Sequence, residues 1–585
     1  MKSLRVFYQF LGKYKWRMLI FLSISTITVV LETVRPYWLK GILDSAQVNN
    51  FTAVFYFLIL FGVSTVGANL VSALSLYLGD KVLIPFSREI RETIFQKVLE
   101  LDFAYHVNKN TGSLISAFRR GDGAIFSIFD SIHHELFRVL IALIVTLYFL
   151  FNASPPIGFS LLILFIVNTF LIWWLIKINL KYRKDFNDAE DNLSGIITDS
   201  LINYETVKFF AAENKERHRL GKSFDTWSEK LWSFANSFRL MDVSIGTTSG
   251  LGMLFILWLA INKLNNGFSL GDLVMVAGFI TGFYYQFFNL FFRIRDIAKS
   301  ITDLDKYFGI LDNNTQVPDP SSPQTLKNPL GNLIFKNLAF AYPGNSGRVL
   351  DNINLEINAG EKVAFVGRSG AGKTTLLKLL LRFYDATSGL IQFDGVDIRH
   401  FTKSYLRSLM AVVPQEPIMF NNTIKFNLSY GKEKASFKEI KQAAADANIL
   451  DFIEGLPQKW ESEVGERGIK LSGGQKQRLA IARALLVDPK VLIFDEATSN
   501  LDSESERKIQ SALNLASKNR TVIVIAHRFS TIRNADKIIV LSNGTIAEIG
   551  RHQDLIKKGG LYKMLWTLQS KGKLVSGNES LVDTN

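Results

Sequence analysis

Six apolar runs crowd the first half of the chain, at about 18–39, 53–78, 136–151, 157–178, 243–262 and 273–292, and nothing comparable follows Phe292. Most reach or approach the roughly 20 residues with which a helix crosses a bilayer core of about 30 Å. As core helices of a soluble protein they would demand an implausibly large apolar interior, so they read as membrane spans. Lys and Arg orient them, because basic residues stay on the cytoplasmic side. Basic residues cluster before the first run (Lys2, Arg5, Lys13, Lys15, Arg17) and in stretches 79–134 and 179–242, whereas connections 41–52, 152–156 and 263–271 hold only Lys263. Both termini and the two long connections are expected in the cytoplasm, and the three short ones outside.

The long connections are patterned as helices. Ile90, Ile94, Val98 and Leu101 recur at helical spacing. A 56-residue connection, helical down and back, reaches roughly 40 Å from the membrane, with tips expected near 108–112 and 202–210. The N-terminal segment, with Phe7, Phe10, Leu11 and Trp16 among its basic residues, suits a helix lying on the inner leaflet.

A linker at 313–330 holds four of the 13 prolines. Beyond it the pattern changes to soluble α/β, with buried-strand runs "KVAFVG", "VLIFDE" and "TVIVIAH". The expected organisation is a transmembrane domain at 1–312, the linker, an α/β nucleotide-binding domain at 331–569 and a polar tail at 570–585. There is no Cys in the chain, which excludes disulfides, a thiol nucleophile and Cys-held zinc or iron–sulfur centres. The net charge of +14 divides into about +5 over 1–312 and +9 over 313–585. In the first half its placement marks the cytoplasmic face, and no nucleic-acid partner is expected.

"VAFVGRSGAGKTTLLKLLL" reads as strand, glycine-rich turn and helix, matching GxxxxGK[ST] from Gly367 to Thr374. Such a turn aims backbone N–H groups at phosphates, and the helix N-terminus adds its dipole. Gly367, Arg368, Ser369, Gly370, Ala371 and Gly372 form the cradle for ATP, with Thr375 beside it. Lys373 reaches the β- and γ-phosphates, and the Thr374 hydroxyl binds Mg²⁺. Asp495 closes the strand of "VLIFDE", where it orients Mg²⁺, and Glu496 is placed to polarise the attacking water. Ser472, Gly473, Gly474 and Gln475 in "LSGGQ" open a further helix whose N-terminus favours anions. One phosphate loop already serves one nucleotide, so this second helix end points to ATP on another copy of the domain.

The phosphate loop, "LSGGQ" and "VLIFDE", in this order, resemble the ATP-binding cassette (ABC) family over 331–569. The resemblance implies that Tyr342 in "FAYPG" stacks on adenine, that Gln415 in "VVPQEP" links Mg²⁺ and water to the membrane-facing surface, that Asp502 contacts the dimer partner and that His527 contacts the γ-phosphate. "EVGERG" matches the segment that precedes the signature in exporters. Six spans ahead of one ATPase resemble an exporter half-transporter, which implies two copies alternating between inward- and outward-facing states and helical tips pressing on the ATPase domains. The intact motif set favours a homodimer, with a heterodimer as the alternative.

"DSLINYETVKFFAAENKER" is similar to the corresponding segment of the mitochondrial iron–sulfur and glutathione-conjugate exporters and their bacterial heavy-metal-resistance relatives. In that subfamily, cavity Asn and Arg side chains bind glutathione. Ala277 stands where the subfamily commonly has Asn, and "QFFNL" replaces its Pro-Leu-Asn run. Charges inside spans tend to line cavities, so the cargo candidates are Glu32, Arg35, Arg138, Arg293 and Arg295, with Gln286 and Asn289. Glu32 pairing with Arg138 or Arg35 is the structural alternative. Phe283, Tyr284, Tyr285, Phe287 and Phe288 read as helix packing before a substrate box. The expected function is ATP-driven export of glutathione-linked or metal–thiol anions, with a drug- or lipid-like amphiphile as the alternative cargo and a non-transporting ABC ATPase as the distant one. A bacterial inner membrane is expected ahead of a mitochondrial one, since no Arg- and Ser-rich leader is seen.

Overall fold

The computed structural model describes residues 2–108, 111–264, 267–344, 347–495, 520–525 and 532–570, with isolated positions between 507 and 517. Contacts divide the chain into two units, Met1–Glu100 with Lys109–Asn313, and Leu101–Asn108 with Asn314–Asn585.

The helices up to the linker are α1 (Lys2–Leu11), α2 (Lys15–Thr33), α3 (Arg35–Gln47), α4 (Phe51–Glu100), α5 (Phe103–Asn108), α6 (Thr111–Phe129), α7 (Phe137–Ala153), α8 (Pro155–Ile202), α9 (Tyr204–Phe209), α10 (Glu213–Leu264) and α11 (Leu270–Phe308). Six helical stretches among the described residues are long and apolar enough to cross a membrane. Helices α4, α8 and α10 have 50, 48 and 52 residues. At about 1.5 Å per residue they run some 75 Å, well past a hydrocarbon core of about 30 Å.

A wide-turned π segment, Asp130–Leu136, joins α6 to α7, and the Phe137 N–H donates to the Ile132 carbonyl five residues back. Such a turn brings side chains five apart onto one side, which an ordinary α-turn does not. Farther down the bundle, the buried ring of Tyr307 on α11 lies against Gly121 on α6, and its hydroxyl donates to Asp122 at 3.1 Å. Asp122 also pairs with Arg91 of α4 at 3.0 Å. Burial, then the Asp122 carboxylate, pushes the Tyr307 phenol well above its ordinary value, so it remains a neutral donor.

The N-terminal helix departs from the expectation. Ser3, Phe7 and Leu11, four residues apart, share one face and are buried. Phe7 meets Phe86 of α4 edge-on at 4.9 Å, Ser3 bonds Asp305 of α11, and Lys2 pairs with Asp312 at 2.7 Å. Of the residues assigned to lipid, Phe7 and Leu11 are covered by protein, Phe10 is half-buried and Trp16 is turned outward.

The second unit holds two sheets. Strands β1 (Leu333–Phe340), β2 (Leu350–Ile357), β4 (Ser388–Phe393) and β5 (Val396–Asp397) form one in the order β2-β1-β4-β5, with each described pairing antiparallel. Strands β3 (Lys362–Val366), β6 (Met410–Val413), β7 (Val491–Asp495), β8 (Thr521–Ile525), β9 (Lys537–Ser542) and β10 (Thr545–Gly550) form the other in the order β10-β9-β3-β8-β7-β6. Its central strands are parallel and almost wholly buried, as their continuous β-branched runs require. The helices used below are α12 (Lys373–Leu380), α13 (Lys403–Ser408), α14 (Ile424–Ser429), α15 (Phe437–Asp446), α16 (Leu450–Glu454) and α17 (Gly473–Leu486).

The tip of the first long connection was expected near 108–112; the short helix α5 ends there at Asn108, begins at Phe103 and belongs to the second unit. Phe103 stacks on Phe383 with ring centres 4.8 Å apart and planes 12° from parallel. Residues 109–110 lie outside the described residues. In the other connection the short helix α9 falls within 202–210; Tyr204 and Phe209 on it and Phe210 just after it are 58, 80 and 78% exposed.

Candidate functional site

Residues 367–372 join the end of β3 to α12 at the carboxyl edge of the parallel sheet. Gly370 (φ 80°) and Gly372 (φ 101°) take left-handed backbone that other residues adopt only under strain. A Cβ on Gly372 would meet Leu350 Cδ2 at 2.6 Å, and one on Gly367 would meet the Leu541 carbonyl oxygen at 2.4 Å. The turn is therefore close-packed backbone that leads directly into the start of α12. Lys373 is 6% exposed, and its ammonium donates to the carbonyls of Gly367 at 2.8 Å and Arg368 at 3.0 Å. Thr374 is exposed in the first helical turn. Strand β8 lies between β3 and β7, with Ile525 in register with both Phe365 and Asp495. Two strand spacings thus separate the phosphate turn from Asp495, about 10 Å.

Tyr342 stands beside the turn. Its hydroxyl shares a hydrogen bond with Thr375 Oγ1 at 3.0 Å, and Tyr384 meets its ring at 90° with centres 5.3 Å apart. Burial pushes the Tyr384 phenol up, keeping it neutral. Helix α17 is capped by Ser472 and Gln475 in a reciprocal box: Ser472 N donates to Gln475 Oε1 at 2.8 Å, and Gln475 N donates to Ser472 Oγ at 3.3 Å. Ser472 and Gly473 are exposed and Gly474 is buried. Gln477, 3% exposed, donates to the Pro414 carbonyl and so fixes α17 to the loop bearing the exposed Gln415. Glu496, Asp502 and His527 lie outside the described residues.

The glycine cradle, the helix N-terminus and the buried Lys373 fit the triphosphate of ATP. Hydroxyl, amide and carboxylate oxygens at Thr374, Gln415 and Asp495 are the donor type that Mg²⁺ takes.

The transmembrane unit has its own polar centre. Glu32 pairs with Arg138 across 106 residues, the structural alternative for Glu32. Arg293 lies 3.0 Å from Asp130 and 4.0 Å from Glu135. These two carboxylates, missed in the sequence, are five apart on the π segment, and only that wide turn turns both toward one guanidinium. Arg35 follows the break between α2 and α3. Its Nε is buried and has no hydrogen-bond partner among the described residues, and the same holds for Gln286 Oε1. Twelve residues from the end of α3, Arg35 is about 18 Å from the short-connection end of the bundle. Asn289 is half-buried, and the Arg295 side chain lies outside the described residues. Phe283 and Phe287 are buried and pack on Phe165, whereas Tyr285 is 68% exposed. With Tyr284 they also line a narrow cleft between α8, α10 and α11, where Asn168 Oδ1 and Ser249 Oγ have no hydrogen-bond partners among the described residues.

Known proteins match both units. Residues 350–499 match the family described as "ABC transporter", and residues 18–287 the "ABC transporter transmembrane region". The chain is 36% identical to "ABC transporter B family member 6" of Dictyostelium discoideum, over 97% of this chain and 86% of that one. It is 36% identical to an "ATM1-type heavy metal exporter" of Novosphingobium aromaticivorans, over 83% and 80% of the two chains. It is 34% identical to "Heavy metal tolerance factor 1" of Caenorhabditis elegans over 83% of this chain, but spans only 60% of that longer protein. A solved structure of a bacterial Atm1-family ABC exporter with ATP bound superposes with a TM-score of 0.84 at 32% identity, covering 97% of this chain and 99% of its own. With its six-helix region ahead of a nucleotide-binding unit, the chain belongs to the ABC transporter family as an ATP-hydrolysing half-transporter of Atm1-type exporter architecture.

Proposed function

We propose that two copies of this chain export a small organic anion, of the glutathione-linked or metal–thiol class, across a bacterial inner membrane at the expense of ATP. The observation that carries the cargo reading is Arg35. An arginine at this depth is rare and belongs to a cavity or an ion pair. Arg138 and Arg293 are matched by carboxylates, whereas Arg35 pairs with no described carboxylate and keeps a buried, unpartnered Nε. Gly278 on α11 packs against Pro36, which sets the α3 turn carrying Arg35 against the helix that also bears Gln286. A carboxylate of the cargo completes the guanidinium, and Gln286, Asn289 and Arg295 supply further polar contacts. The names of the bacterial and nematode relatives, a heavy metal exporter and a heavy metal tolerance factor, support this class.

At the nucleotide, Tyr342 stacks on adenine, the 367–372 turn and Lys373 hold the phosphates, and Thr374, Gln415 and Asp495 hold Mg²⁺. When bound, the metal neutralises charge developing between the β- and γ-phosphates. Glu496 takes the proton of the attacking water, and His527 contacts the γ-phosphate. The exposed Ser472–Gly473 helix end serves the nucleotide of the second copy, and Asp502 contacts that copy. The apolar, exposed α9 supports the same dimer, since a patch of this kind needs cover and the ATPase unit of the second copy provides it.

A hydrophobic amphiphile is the second reading, favoured by the cleft lined by Phe283, Tyr284 and Phe287 with the polar atoms of Asn168 and Ser249. ATP hydrolysis by the reconstituted protein decides between them. Oxidised glutathione or a metal–glutathione complex stimulates it severalfold under the first reading. Stimulation by lipophilic drugs alone overturns that reading.

A further inference from the structure

Every residue of α12 except Thr374 and Lys378 is buried. Lys378 lies between two rings of different elements. Its ammonium is 5.5 Å from the centre of Phe103 on α5 and 5.7 Å from the centre of Tyr342. Both distances fall within the roughly 6 Å over which a cation is attracted to an aromatic face, and no described carboxylate lies within ion-pair distance of Lys378. Each ring also has partners of its own. Tyr342 is held by Thr375 and Tyr384, and Phe103 lies flat on Phe383, which in turn carries the Arg407 guanidinium at 4.8 Å. Lys378 is thus one cation shared by two rings, one on the tip helix and one beside the phosphate turn. It also sits on the helix whose first residue is Lys373, so the phosphate end and the base end of a nucleotide both converge on it.

We propose that Lys378 is a positioning residue that ties the Tyr342 ring to the tip helix α5, so that nucleotide binding is transmitted to α4 and α6, the helices joined through that tip. The proposal rests on the reading above in which ATP acts on the transmembrane unit. Adenine against Tyr342 changes the electron density and position of the ring that Lys378 faces. Phosphate at the start of α12 shifts the backbone that carries Lys378. Either displacement alters the pull on Phe103. The interaction needs a cation at this height: Arg conserves it, whereas Met conserves the stem but not the charge.

The absence of Cys makes the test direct. Val107, 63% exposed on α5, is replaced by Cys in the full-length protein and labelled with an environment-sensitive dye in lipid nanodiscs. Emission is followed on ATP addition, alongside the KM for ATP hydrolysis. We expect a saturable response in the Val107→Cys parent, at least a twofold loss of its amplitude at saturating ATP in Lys378→Met, and recovery in Lys378→Arg. An unchanged amplitude in Lys378→Met overturns the proposal. Equal losses in Lys378→Met and Lys378→Arg overturn it too, since they mark a packing role only. A parent that gives no response to ATP contradicts the coupling reading itself.

Discussion

Phe103 lies on Phe383 almost ring to ring, at 4.8 Å and 12°, although 280 positions separate them. This stack attaches the tip of the first long connection to the ATPase unit. Aromatic pairs of this kind contribute about 0.5–1.5 kcal/mol beyond the area they bury. Phe103→Ala is expected to leave the protein folded and hydrolysing ATP, while the cargo-stimulated increment of hydrolysis falls at least threefold. Phe103→Trp, which preserves stacking, keeps it. ATPase assays with and without oxidised glutathione check this, and an undiminished increment in Phe103→Ala removes the stack from the coupling path.

Gly121 and Tyr307 set the packing of α6 on α11. A Cβ on Gly121 would lie 2.2 Å from Tyr307 Cγ, at the root of the ring and not its flexible end. Alanine normally gains about 1 kcal/mol over glycine inside a helix, but overpacking of a tight contact costs about 1–3 kcal/mol. Gly121→Ala is therefore expected to lower the melting temperature, and Tyr307→Leu in the same chain to recover part of the loss. A rise in melting temperature for Gly121→Ala alone contradicts the close contact.

Gly372 combines a φ of 101° with a side-chain position already filled by Leu350. A left-handed non-glycine residue carries about 1–2 kcal/mol of strain, and relief of that strain distorts the phosphate turn. Gly372→Ala is expected to weaken binding of a fluorescent ATP analogue about tenfold, with Lys373→Met weaker still. Unaltered binding by both would place the nucleotide elsewhere.

Glu32 and Arg138 are 18 and 29% exposed at their side chains. Breaking a fully buried pair costs about 3–5 kcal/mol through the charge left behind, and partial exposure reduces that figure. Glu32→Ala is expected to cost about 2 kcal/mol in unfolding stability, read as a lowered melting temperature in detergent. The exchange Glu32→Arg with Arg138→Glu recovers most of it. Equal instability of the exchanged and single variants would show that the pair is not what holds these helices.

The legible parts of the sequence were those with local signals. Apolar runs marked the spans, and glycines spaced around Lys373 marked a turn whose geometry depends on adjacent backbone. Glu32 was recognised as a charge needing a partner, but the choice between Arg138 and Arg35 lies 106 residues away along the chain. Asp130 and Glu135 were unremarkable because five residues separate them, a spacing with no meaning on an ordinary helix. Phe103 and Lys378 carried no pattern either, since each acts through a ring contributed by a distant element. The N-terminal segment with Phe7, Phe10, Leu11 and Trp16 was legible as amphipathic, but periodicity does not say whether protein or lipid covers it.

The most direct measurement is ATP hydrolysis by the protein reconstituted in proteoliposomes, titrated with oxidised glutathione, in the parent and in Arg35→Gln. The account predicts severalfold stimulation in the parent and, in Arg35→Gln, at least a tenfold rise in the concentration that gives half of it, with hydrolysis in the absence of cargo retained. Stimulation identical in the two proteins, or seen only with lipophilic compounds, would contradict it.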